Sequence, residues 1–507
     1  MRTGKEYLEA LNDGRRVWVG DDLVENVATH PKTRAFAKLT ADFYDLHHRP
    51  DLQDVMTFVD DDGVRRSMMW FKNTDKEGLK RKRRYHETVI RQLGAGSAPR
   101  SPDVNNSVFR TYVDDPAPWS DQSVGTDGRD LTAGILDFFE EIKAGDLNAA
   151  IAFVDPQANR SRDSAQAESP ALRVVSRSAE GIVVTGVKAV ATGAVFCDRI
   201  NVGVFYRPGI TEEQIIFAAV APNAPGVTMV SRESNVRDGE TVEHPMAAQG
   251  DELDTTIIFE DVFIPWNRVF HLGNPNHASF YPQRVFDWVH YTGLVREMVR
   301  AELMLGLALL ITEHTGTSAL PPVMARVAQF AGFHQTLKAH VVGCEDEGFL
   351  TPGGTYKPNV LMFDFGRAYY LENIARLSAE LVDIAGRAAL VFPSEGQWRQ
   401  PELRPWLEAL HTGPIGRPHD RLKISRIIRD FFQSDWGSRM ATFENFNGTP
   451  LLAIRTLTMK RAEMSAAGPI ADYAREICGI AAEDTSEETE YLHQAEYARR
   501  QDSAAAV

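Results

Sequence analysis

The side chains with chemical potential in this chain are scattered, and none falls into a familiar catalytic string. Residues 100–106 read Arg-Ser-Pro-Asp-Val-Asn-Asn. The Ser-Pro-Asp part suits a surface turn, because proline presets φ and serine or aspartate favours the turn's start. A turn has no need of Arg100, so that residue is either a solvated neighbour or a site group. His47 and His48 sit beside acids, but adjacent residues point to different sides of a helix, and no second ligand pair follows at usable spacing. No metal site is expected. No G-x-S-x-G elbow occurs for a serine nucleophile. Leu93–Pro99 contains Gly94 and Gly96 but lacks a third glycine and follows a basic helix instead of a strand. It reads as a helix end and a turn, not as a dinucleotide loop. Any NAD(P)H oxidation therefore belongs on another polypeptide.

The elements that must position such groups are set by a chain of 507 residues, 43% hydrophobic and 25% charged, with net charge −15. That balance suits a soluble globular protein of two or three domains. The negative charge argues against nucleic acid as a partner. The basic run Lys-Arg-Lys-Arg-Arg at 80–84 is expected to be a solvated helix face. Cys197, Cys344 and Cys478 are too far apart in sequence for a C-x-x-C pair, which fits a reducing cytoplasm. The apolar run at 303–311 is too short to span a membrane.

Three textures follow one another. Residues 1–145 carry mostly helical apolar spacing. Residues 146–275 alternate β-branched segments such as Gly-Ile-Val-Val-Thr-Gly-Val-Lys with Gly, Pro, Asn and Asp, which predicts a β-sandwich or barrel. From about 280 onward helical periods return, as expected of a helical bundle. The tail 491–507 is expected to stand outside the fold. Grouped helices, then strands, then helices make an α+β protein, not an interleaved α/β one.

Met-Arg-Thr-Gly-Lys-Glu-Tyr-Leu-Glu-Ala-Leu at the start, the 100–106 stretch, Gly-Asp-Leu-Asn-Ala-Ala-Ile-Ala-Phe-Val-Asp-Pro-Gln-Ala-Asn-Arg-Ser at 145–161, Glu-Asp-Val-Phe-Ile-Pro-Trp-Asn-Arg-Val-Phe at 260–270, Phe-Pro-Ser-Glu-Gly-Gln-Trp at 392–398 and the 434–450 segment occur in a telling order. In that order the chain resembles the oxygenase component of the two-component 4-hydroxyphenylacetate 3-monooxygenases and their chlorophenol-hydroxylating relatives. The resemblance implies an acyl-CoA-dehydrogenase-like fold: an N-terminal helical domain (1–145), a central β-barrel (146–275) and a C-terminal four-helix bundle (276–490), assembled as a homotetramer. It also implies that a separate NAD(P)H:flavin reductase releases FADH2, with FMNH2 as an alternative. Molecular oxygen then gives a flavin C4a-hydroperoxide that hydroxylates an aromatic or heteroaromatic small molecule. Such a site must exclude water and hold the ring in place.

By position, the resemblance places Arg100 against flavin and substrate. Gln157, Asn159 and Arg160 fall on the flavin side, Ala191, Thr192 and Gly193 in the loop at the flavin's N5 edge, and Arg439 with Asn447, Gly448 and Thr449 along the rest of the cofactor. Val104 and Ile151 stand where phenol-hydroxylating members carry tyrosine and histidine. A phenol bound in that way would lose its partners at about 1–3 kcal/mol. The departure favours a pyrrole, indole or bulkier aromatic substrate over 4-hydroxyphenylacetate, and leaves His290 and Tyr291 as candidates for a replacement base, the alternative for His290 being a histidine satisfied within a helix that packs against Trp288. Tyr112 and Trp119 could wall the pocket. Arg300 and Glu302 are read as bundle hydrogen-bonding groups or as indirect flavin contacts. Rival readings are a flavin-binding homologue without catalysis and an acyl-CoA-type oxidase or dehydrogenase. The radical dehydratase branch would need an iron–sulfur cluster, and the 98–104 segment has no cysteine for it.

Overall fold

The computed structural model describes residues 1–480 except 95, 115, 158–169, 208, 461–463, 465 and 467. Local signals start the helices. Thr3 and Glu6 form a capping box on Gly4–Ala10, Asp75 caps Lys76–Gln92 through the Gly78 N–H, and Asn359 caps Val360–Ala385 through the Met362 N–H. Each side-chain oxygen satisfies an N–H that the helix itself leaves orphaned.

The strands make two principal sheets. One runs Asp22–Val24, Val17–Val19, Val227–Ser231, Thr255–Pro265, Gly181–Lys188, Arg173–Arg177; the other runs Val269–Leu272, Ile216–Val220, Arg199–Val202, Ala149–Ala152. The barrel expected from the sequence is not seen as a closed ladder among the described residues. An isolated bridge between Val154 and Val190 joins the two sheets. The larger sheet also takes Val17–Val19 and Asp22–Val24 from the segment read as helical, with Val17–Val19 parallel to Val227–Ser231.

One core unites helices and sheets of the first 290 residues, with Tyr7, Phe43, Trp70, Phe138, Phe196, Phe217 and Phe270 all buried in it. A second core holds Leu294, Met304, Phe330, Leu337, Phe363, Leu377 and Ile428. These come from the helices Pro275–Thr315, Pro321–Asp346, Val360–Ala385 and Pro418–Gln433. Leu79 reaches into the same core from Lys76–Gln92, so the basic run is not a uniformly solvated face. Lys82 is buried, lies over the Trp288 ring at 5.5 Å and donates to the Phe71 carbonyl at 3.2 Å. Burial pulls its ammonium down to about 7. No helix of the described residues is long and apolar enough to cross a membrane.

Candidate functional site

The segment around Arg100 is fixed on both sides. Ser101 Oγ donates to Asp103 at 2.6 Å, and the other Asp103 oxygen lies 2.7 Å from His86 Nδ1. Asn105 Nδ2 donates to the Arg100 carbonyl at 2.9 Å, and the Arg100 N–H donates to Glu252. Its guanidinium stands 5.9 Å from the centre of the Phe443 ring, a ring that Arg296 and Arg439 also approach, at 5.9 and 4.8 Å. Nη1 of Arg100 is buried and finds no hydrogen-bond partner among the described residues. Burial and the nearby Arg296 and Arg367, offset by Glu252 and Glu444, pull Arg100 down to about 10. It remains a cation at neutral pH.

The loop Ala191–Gly193 closes over the same place. Gly193 has φ +75°, a left-handed conformation that only glycine adopts freely. A Cβ there would sit 3.9 Å from the Arg100 Cβ and 3.8 Å from Glu252. Thr192 Oγ1 donates to Asp254 at 2.9 Å, and Asp254 accepts two bonds from Arg439, at 2.8 and 2.6 Å. The second acid, Glu252, lies 3.3 Å from Arg439 and is buried. Burial, with Asp254 beside it, pushes Glu252 up to about 7 against the pull of Arg439. Arg439→Lys is expected to weaken flavin retention by about tenfold, read by fluorescence titration, since a lysine cannot keep the two-pronged bond to Asp254.

His290 and the Asn447–Thr449 turn, separated by more than 150 residues of chain, are brought into contact. His290 Nε2 lies 3.2 Å from Thr449 Oγ1, and Nδ1 lies 3.3 Å from Asp364. Phe286 and Phe363 flank the ring at 6.3 and 6.0 Å. Gly448 has φ +79°, and a Cβ on it would come within 2.4 Å of His290 Nε2. Gly448→Ala is therefore expected to cost about 1–2 kcal/mol in backbone strain. It should also displace the imidazole and lower turnover at least about tenfold, the factor that goes with 1.4 kcal/mol; thermal melts and steady-state rates check it.

Beneath the turn lies a charged floor of which sequence reading named Arg300 alone. Arg367 donates to the Asn447 carbonyl at 2.8 Å and approaches Glu297 at 3.6 Å. Arg296 grips Glu444 at 3.1 and 2.8 Å, and Arg300 binds the same carboxylate at 2.9 Å. Among the described residues the Asn447 amide, both Glu297 oxygens, and Nε and Nη1 of Arg367 find no hydrogen-bond partner. Buried polar atoms without partners are expensive. Together with Arg100 Nη1 they supply the donors and acceptors that the carbonyls and N–H of a flavin's pyrimidine edge would use. The loop Ala191–Gly193 has no bulky side chain to keep a ring away. These residues fit a flavin.

The other expected site residues are placed unevenly. Val104, Ile151 and Tyr112 are buried together in the first core, with Tyr112 stacked on Trp119 at 4.2 Å. Tyr291 turns away from His290: its hydroxyl donates to Glu345 at 2.7 Å in the bundle core, so the structure gives it a bundle bond and not a pocket wall. Gln157 is exposed, and Asn159 and Arg160 lie outside the described residues. Glu302 pairs with Arg91 at 2.6 Å near the surface.

The class of protein follows from the fold and this site together. A solved structure of the oxygenase component of 4-hydroxyphenylacetate 3-monooxygenase, complexed with FAD and 4-hydroxyphenylacetate, superposes with a TM-score of 0.86 at 26% identity, covering 94% of this chain and 98% of that one. The family model for the N-terminal part of 4-hydroxyphenylacetate 3-hydroxylase matches residues 3–271, and that for the C-terminal part matches residues 278–476. The chain belongs to this family. It is 59% identical to the 2,4,6-trichlorophenol monooxygenase of Cupriavidus pinatubonensis (99% of this chain, 97% of that one). It is 54% identical to the FADH(2)-dependent monooxygenase TftD of Burkholderia cepacia (100% and 98%).

Proposed function

We propose that the protein is the oxygenase component of a two-component, FADH2-dependent monooxygenase that hydroxylates a phenol, with FADH2 delivered by a separate reductase. The observation that carries this reading is His290, held between Asp364 and Thr449 against the turn whose Asn447 amide is unpaired. The sequence favoured a pyrrole or indole because Val104 and Ile151 offer a phenol nothing. His290 removes that objection, and relatives more than half identical along the whole chain are a trichlorophenol monooxygenase and an FADH2-dependent monooxygenase.

In this reading Asp364 accepts the Nδ1 proton of His290, which makes Nε2 the acceptor: it takes the Thr449 O–H, or the proton of a phenolic hydroxyl that displaces that group. The resulting phenolate pushes electron density onto its ring, and the cation of Arg100 steadies the oxygen. Bound reduced flavin, with molecular oxygen, supplies the electrophilic oxygen atom. Phe286, Phe363 and Phe443 line the region with apolar surface that keeps water out.

Incubation with FADH2, a chlorinated phenol and 18O2 is expected to give a product carrying one labelled oxygen, detected by mass spectrometry. Complete oxidation of FADH2 with unlabelled, unconverted phenol would leave a flavin-binding homologue instead. We infer a homotetramer as well: Trp406, Leu452, Tyr473 and Ile477 are each at least 70% exposed, and so much apolar surface at one end of the chain suits burial between copies. Light scattering that returns a single copy would end that reading.

A further inference from the structure

The segment from Asp251 to Thr255 ties the loop Ala191–Gly193 down residue by residue. The Ala191 N–H donates to the Thr255 carbonyl at 2.8 Å, Thr192 Oγ1 to Asp254 at 2.9 Å, and the Gly193 N–H to the Leu253 carbonyl at 3.0 Å. Leu253 is fully buried and has φ +58°, a left-handed conformation that strains any residue with a Cβ. Such strain persists only where the surroundings over-determine it. They do so here. Asp251, two residues before Leu253 in the chain, accepts two bonds from Arg232, both at 2.7 Å. Asp254, just after it, accepts two from Arg439, at 2.8 and 2.6 Å.

Glu252, buried between these anchors, spends its two oxygens on different elements. Oε1 accepts the Arg100 N–H at 2.5 Å, just ahead of the helix Pro102–Ser107. Oε2 faces Nη1 and Nη2 of Arg439 at 3.4 and 3.3 Å, on the helix Asp435–Phe446. Arg439 already has its two-pronged partner in Asp254, so its longer contact with Glu252 is the adjustable one. The loop rests on the stem of the same acid, since a Cβ on Gly193 would lie 3.8 Å from Glu252 Cγ. One carboxylate thus touches the residue read as steadying the phenol oxygen, the arginine on the flavin side, and the loop at the flavin's edge.

We propose that Glu252 is the positioning residue that couples the flavin half of the site to the phenol half, so that each ligand tightens the binding of the other. The coupling rests on the monooxygenase reading above. A flavin seated against Ala191–Gly193 fixes Gly193, and with it the Leu253 carbonyl and the acid next to it in the chain. Glu252 then holds the Arg100 backbone in register, which aims the guanidinium at the place of the phenol oxygen. A phenol that engages Arg100 stabilises the same arrangement from the other end. By linkage the two effects are equal in size. Glu252 touches neither reacting atom; it acts through Arg100 and Arg439.

The test is a two-ligand binding cycle on the full chain under anaerobic conditions, with FADH2 followed by fluorescence and 2,4,6-trichlorophenol by calorimetry. Wild type is expected to bind the phenol at least about fivefold more tightly when saturated with FADH2, and FADH2 by the same factor when saturated with the phenol. Glu252→Gln keeps an acceptor for the Arg100 N–H but meets Arg439 with an amide. Its factor should fall to about one in both directions, while the flavin-free protein binds the phenol within about twofold of wild type. Glu252→Asp keeps the buried charge, which guards against a variant that does not fold, but is too short to reach both partners and should lose the factor too. A carboxylate that only holds the fold together would lower the melting temperature and leave the factor unchanged. A factor of one in wild type, or the wild-type factor in either variant, overturns the coupling and leaves the monooxygenase reading intact. A wild-type protein that binds neither FADH2 nor the phenol overturns both.

Discussion

His290→Gln is expected to lower kcat/KM for a weakly acidic phenol by about 10²–10³, the range that loss of a positioned general base produces. The reason is geometric. The imidazole is the group that Asp364 holds by Nδ1, with Nε2 directed to the Thr449 side of the turn. Glutamine keeps most of the volume and one hydrogen bond but cannot take a proton. The loss should therefore depend on the substrate's own acidity. A phenol already ionised at the assay pH needs no base, so the defect should shrink toward unity for nitrophenols and for any phenol as pH rises past its pKa. Asp364→Asn should lie between wild type and His290→Gln, because it misorients the ring or inverts its tautomer without removing it. Rates of product formation across a series of phenols, with hydrogen peroxide release measured alongside, check this. A defect of equal size for all phenols would mean that His290 shapes the pocket and takes no proton.

The pieces of the site that were legible in the sequence are those whose local chain is unusual. Arg100 is the case in point, standing beside a turn that does not need it; Gly193 and Gly448 were expected through the resemblance alone. The resemblance supplied their roles. The charged floor, Arg300 apart, was invisible because its partners are distant: Asp364 and His290 are 74 residues apart, and Arg296 and Glu444 are 148 apart. Each looks like an ordinary helix charge. A signal did exist for Asp364, which lies between Phe363 and Phe365 with Arg367 one turn on, an acid in apolar company. Lys82 was misread for a related reason. The basic run dominates the eye, yet Leu79, Lys82, His86 and Val89 are buried in turn along Lys76–Gln92, which places the lysine on the helix's inner stripe. Strands announced themselves by β-branched alternation, but whether their sheets close depends on long-range edge pairing that no local pattern encodes.

Glu444→Gln is expected to destabilise the protein by about 3–5 kcal/mol and to weaken flavin binding at the same time. Glu444 is buried, and its carboxylate is the shared partner of Arg296 and Arg300. Removing its charge leaves two enclosed guanidiniums facing each other, and breaking a buried pair on one side carries that cost. Burial raises the Glu444 carboxyl, but Arg296 and Arg300 outweigh it and hold the group down to about 2. Its folded value thus lies below its ordinary 4.5, so its contribution is fully present above 4.5 and is lost as pH falls toward 2. The stability gap between wild type and variant, read by urea unfolding, should open as pH rises through that acid window and be widest just above it, at about pH 5. Glu297 behaves in the opposite sense. Burial, with Glu444 nearby, pushes it up to about 7, so its ionisation costs the folded state stability as pH rises from 4.5 to 7. In Glu444→Gln the arginines lose their stronger partner and Glu297 loses a repelling neighbour, and both changes favour its ionised form. Part of the deficit should then be recovered at neutral pH, and Glu297→Gln in the same background should remove that recovery. If Glu444→Gln unfolds at the same urea concentration as wild type at pH 7, the arginine pair is solvated in the working protein, and the floor beneath the flavin turn is open to water.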